Sequence, residues 1–107
     1  MLTAYAEGIT PERSMERTAV KVALAELVTR APGRSVEVRI PPHAAVQVIE
    51  GVRHTRGTPA AVVEADARTW LELATGHLEW SAALGSGRLR ASGERSDLSY
   101  LLPLFAR

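Results

Sequence analysis

The sequence contains no cysteine, which removes disulfides, thiolate nucleophiles, zinc ribbons and iron–sulfur clusters and suits a reducing compartment. It also has little net charge. Thirteen basic against twelve acidic residues leave +1, too little for a chain that wraps nucleic acid or coats an anionic membrane. No apolar run approaches the roughly 18 residues that a membrane-spanning helix needs, so stable insertion into a bilayer is not expected. Met1 to Gly8 has neither a basic start nor an apolar centre, so we expect no signal peptide and a cytoplasmic location.

What is present describes a folded domain. The 107 residues are 46% hydrophobic and 23% charged, inside the globular range. Area scaling lets a chain of this size bury about 65% of its unfolded surface, enough for a core without staples. We expect one domain over residues 1–107, with a flexible start over 1–10, and no internal repeat or linker.

Hydrophobic spacing divides the chain. Thr10 is a plausible N-cap, with Pro11 at the first helical position and Glu12 beside the positive end of the helix dipole. Val20, Leu24, Leu27, Val28 and Ala31 then recur on one helical face, while Glu16, Arg17, Lys21, Glu26 and Arg30 fall elsewhere. Pro32-Gly33 ends the helix, the glycine accepting a left-handed cap. The period then switches to two: Val36, Val38 and Ile40 alternate with Glu37 and Arg39, a strand with one wet face. Pro41-Pro42 closes it, and Ala45 to Glu50 reads as an antiparallel partner with Val46 and Val48 inward, closed by Gly51.

A loop rich in Arg, His, Gly and Thr follows from Val52 to Pro59. A third strand, Ala61 to Glu64, runs into Asp66, the N-cap of a short helix carrying Trp70, Leu71, Leu73 and Ala74 and ended by Gly76. Leu78 to Leu84 is another short helix, with Trp80 and Leu84 one turn apart, before the Gly85-Ser86-Gly87 break. Arg88 to Ala91 alternates around Leu89 as a fourth strand ending at Gly93. Ser96 caps a last helical turn holding Leu98, Leu101 and Leu102, stopped by Pro103. The order α-β-β-β-α-α-β-α, with helices segregated from hairpin-joined strands, predicts an α+β fold on a mainly antiparallel sheet of about four to five strands.

Read in order, TWLELATGHLEWSAALGSGRLRASGERSDLSYLLPL from Thr69 to Leu104 resembles the sterol carrier protein 2 (SCP2)-like superfamily. In that pattern an apolar helix ending in glycine precedes a second short helix, a strand between glycines, and a closing leucine-rich helix. APGRSVEVRIPP at Ala31 to Pro42 and HTRGTP at His54 to Pro59 are similar to its stand-alone bacterial branch. The resemblance spans about residues 11 to 104. It implies an antiparallel sheet covered by helices around an apolar cavity, and a non-enzymatic carrier for a fatty acyl, acyl-CoA or sterol-like ligand.

On that reading Trp70, Leu73, Trp80, Leu84, Leu89, Leu98, Leu101, Leu102 and Phe105 line a cavity with Val38 and Val48 as its floor, since such sites are concave and mostly apolar. The same side chains also serve as ordinary core, which a domain this small needs merely to fold. Arg53, His54 and Arg56 are candidates to clamp a carboxylate or phosphate head group, or form a solvated loop. The second function class is therefore an interaction or dimerisation module with a filled core, using a sheet edge or an apolar surface. Monomer and homodimer both stay open.

No catalytic or cofactor-binding constellation emerges. His43, His54 and His77 are the only histidines, none at i, i+4 spacing, so no metal site is expected. The serines include no G-x-S-x-G elbow. Gly85-x-Gly87 lacks the third glycine of a dinucleotide fingerprint and precedes a strand. Glu50, Glu64 and Asp66 read as strand-edge charges and a helix cap, and no enzyme activity or cofactor is expected.

Overall fold

The computed structural model describes residues 12–51 and 61–105. Helix α1 spans Arg13–Arg30 and buries Val20, Ala23, Leu24 and Leu27, the face that the apolar spacing marks. Thr10 and Pro11 lie outside the described residues. Glu12 flanks the helix in an extended conformation instead of entering its first turn, and its carboxylate accepts from the Ser14 hydroxyl at 2.8 Å. As the N-cap, Glu12 still stands beside the positive end of the dipole, and Glu16 is the acid within the first turn.

Strands β1 (Val36–Ile40) and β2 (Ala44–Val48) form the expected hairpin, turning through Pro41 to His43. Strand β3 (Ala61–Ala65) lies on the other side of β1 and runs parallel to it, and β4 (Leu89–Ser92) runs antiparallel to β3. Among the described residues the sheet has four strands in the order β2-β1-β3-β4 and is mixed, because its central pair is parallel. Period-two alternation assigns a residue to a face and says nothing of which strand lies beside it, so the expectation of a mainly antiparallel sheet holds for the β1–β2 and β3–β4 pairs and not for the central one.

Register explains the core. Val48, Val36 and Ala61 form one row across the inner face, and Val46, Val38, Val63 and Ala91 form the next. The opposite face carries Glu37, Arg39, Gln47, Glu64, Arg90 and Ser92 beside Ala45 and Val62 and is mostly polar. The Glu37 carboxylate, and more weakly that of Glu64, raise the pKa of Arg39.

Helices α1 and α2 (Ala67–Thr75) cover the inner face. Asp66 caps α2 by accepting from the Thr69 amide at 2.8 Å, and Gly76 ends it at φ 80°, a left-handed conformation that favours glycine. Helix α3 (Trp80–Gly85) follows. The last turn is a short 3₁₀ segment, Ser99–Leu101, and its cap departs from expectation. Asp97 accepts from the Ser99 amide at 3.0 Å, whereas Ser96 donates to the Gly93 carbonyl at 2.8 Å.

Three further contacts fix the layers. The backbone of Ile49 leaves β2 at φ 68° and donates to the Ala31 carbonyl at 2.8 Å, which shortens β2 at Val48. Gly33 is not the left-handed cap of α1: Ala31 caps it, and a Cβ on Gly33 would stand 2.1 Å from the Ile49 carbonyl. The buried ring of His43 pairs through Nε2 with Glu16 Oε1 at 2.8 Å, tying the hairpin turn to α1.

Candidate functional site

Sheet and helices meet along an apolar seam. Leu27 enters it from α1, Val38 and Ile40 from β1, Val63 and Ala65 from β3, and Trp70 and Leu73 from α2. Trp80 of α3, Leu89 of β4, and Leu98 and Leu102 of the last segment complete the wall. The residual void is only about 10 Å³, room for about one water-sized probe and far below the roughly 300–1,000 Å³ of a ligand pocket. In this conformation the seam is closed.

Seven residues expected to line a cavity do converge here: Val38, Trp70, Leu73, Trp80, Leu89, Leu98 and Leu102. Val48 is fully buried on the same sheet face, one row away from the void. Leu84 is 41% exposed and lines a surface groove instead. Leu101 borders a different open groove, beside Arg30, Ile49 and Arg95. Phe105 packs half-buried on the core without reaching the void. Arg53, His54 and Arg56 lie outside the described residues.

Leu27, Ile40, Val63 and Ala65 line the void beyond the residues expected to do so. Spacing marks Leu27 and Ile40 as inward, whereas Val63 and Ala65 come under the void through the parallel β1–β3 pairing.

The walls differ in how they are held. Trp70 donates its indole N–H to the Val20 carbonyl at 3.4 Å, bridging α2 to α1. Arg88 donates to Thr69 Oγ1 at 3.2 Å and to Glu72 Oε1 at 2.6 Å, which fixes the start of β4 against α2. The last segment is stapled as well. The amides of Leu104 and Phe105 donate to the Ala74 carbonyl at 2.8 and 3.1 Å, and Arg30 donates to the Leu104 carbonyl at 2.6 Å.

Helix α3 has no such anchor. Its backbone bonds stay within residues 79–87, and among the described residues no side-chain hydrogen bond or ion pair joins 79–85 to the rest. Ala83 is its only buried residue, with Trp80 half-buried against the core.

The described residues hold no group of three or more metal-ligating side chains, and none of their helices is long and apolar enough to cross a membrane. No curated protein matches the chain. A family model described as bacterial SCP ortholog matches residues 12–104, nearly the whole described fold, and the chain belongs to that family.

Proposed function

We propose that the protein is a non-enzymatic carrier that binds a small apolar ligand, of acyl or sterol type, between its sheet and its helices. The observation that carries this reading is the composition of the seam: every side chain lining it is apolar, and one of its walls, α3, is held among the described residues by packing alone. Burial of an apolar chain supplies about 25 cal/mol per Å², and α3 moves outward to make the room that the closed void lacks.

The small void favours a second reading, in which the core is filled and the domain acts through its surface as an interaction or dimerisation module. Native mass spectrometry of the purified protein, before and after adding fatty acids, acyl-CoAs and sterols, separates the two. A discrete adduct that disappears in Leu89→Trp supports the carrier. No adduct with any of these compounds, together with a clean dimer peak, supports the module.

A further inference from the structure

Resting on that reading, we propose that the ligand reaches the seam past Trp80, through the groove between α3 and β4. We propose further that this groove selects a head group that donates hydrogen bonds and carries no negative charge, an alcohol or an amine in preference to a carboxylate.

Among the described residues, Trp80 and Ala65 each border both the closed seam and an open depression on the surface. Ala65 is fixed in the β3–β4 ladder opposite Leu89. Trp80 belongs to the unanchored α3, which is bracketed by Gly76 and Gly87 in left-handed conformations at φ 80° and 78°. Turning the Trp80 ring aside therefore joins the seam to the groove without breaking a hydrogen bond of the sheet. The groove itself holds about 510 Å³, with Trp80, Leu84 and Ala91 as its apolar surface.

Its rim is acidic. Glu79 and Asp97 both line the groove, with Ser81, Ser96 and Ser99 and no basic residue among its lining residues. Asp97 is held below the usual carboxylate range by the hydroxyl and amide of Ser99, so it stays charged. Arg95 borders the neighbouring groove, and its guanidinium donates to the Glu50 carbonyl at 2.6 Å.

A ligand enters with its apolar end first, because a polar head in the seam would be buried without a partner. The head is left at the rim. A carboxylate there meets two like charges and has no proton to donate, whereas a hydroxyl donates its one proton to a carboxylate and an ammonium has protons enough for both. The discrimination thus comes from repulsion as much as from attraction.

The test is calorimetric titration of the full chain at pH 7 with decan-1-ol, decylamine and decanoate, repeated on Glu79→Gln/Asp97→Asn after its folding is checked by thermal unfolding. The alcohol or the amine is expected to bind at least about tenfold more tightly than decanoate, equivalent to about 1.4 kcal/mol. The tighter of the two identifies a hydroxyl or an ammonium as the head. In the double variant the gap closes to about threefold or less, chiefly because decanoate binds better. Decanoate binding as tightly as both others in the unsubstituted chain, or a gap unchanged by the double substitution, overturns the selectivity while leaving the carrier reading intact. Failure of all three compounds to bind overturns the carrier reading and this inference together.

Discussion

Trp80 and Leu89 border one void from supports of opposite kind. Leu89 stands on a strand locked opposite Ala65, whereas Trp80 stands on a helix that no hydrogen bond ties to the body among the described residues. Opening at the lowest cost therefore moves Trp80 and leaves Leu89 in place. The two tryptophans consequently have different work to do, although both face the seam.

Trp80→Ala is expected to speed uptake of an apolar ligand, because it removes the side chain that separates groove from seam. Trp80 is only half-buried, so the stability loss should fall below the roughly 3–5 kcal/mol of a fully buried aromatic. Trp70→Ala should reach that range, since Trp70 is 3% exposed and carries the bond to Val20. Stopped-flow mixing with a fluorescent fatty alcohol and chemical denaturation measure both. Slower uptake in Trp80→Ala would contradict the gate.

Gly33→Ala is expected to destabilise the fold by well over about 1 kcal/mol, because the new Cβ collides with the backbone of Ile49 at 2.1 Å. Gly85→Ala meets nothing within 4 Å at a helical position and should stabilise by about 0.4–1 kcal/mol. Urea denaturation of both variants checks the pair.

The contrast between these glycines shows where the sequence was readable. Gly76 could be placed by its own backbone: it follows an apolar helical run and ends it at positive φ. Gly33 could not, because what it makes room for is Ile49, sixteen residues on. The same division runs through the site. Alternation and helical spacing mark Val38, Leu73, Leu89 and Leu98 as inward, and these four line the seam. Spacing does not tell which strands adjoin, so the parallel β1–β3 pairing and the share of Val63 and Ala65 in the wall come only from the fold. Leu84, one turn from Trp80, looked like core, yet the six-residue α3 turns it toward the groove.

His43→Ala is expected to cost about 0.5–1.5 kcal/mol, since it removes a part-buried hydrogen bond between the hairpin turn and α1. Glu16→Gln keeps an acceptor and should cost less. A double-mutant cycle on the two residues, read by denaturation, should give a coupling energy of at least about 0.5 kcal/mol.

Acid should weaken the last turn. The pKa of Asp97 is lowered by its bonds to Ser99, so the stability it contributes is fully present above the ordinary carboxylate value. That stability is lost as pH falls through the lowered folded value. Asp97→Asn should remove this step from the pH dependence of unfolding while preserving the bond to the Ser99 amide. An unchanged acid limb in the variant would contradict the assignment.

The most direct test of ligand binding in the seam is an NMR titration of the isotope-labelled chain with decan-1-ol, following every backbone amide. We expect saturable one-to-one shifts concentrated on α3, on β4 around Leu89, and on Leu98 to Leu102, with the polar face of the sheet unmoved. Amides that stay unshifted up to the solubility limit of the alcohol, or that shift only on the polar face, would contradict it.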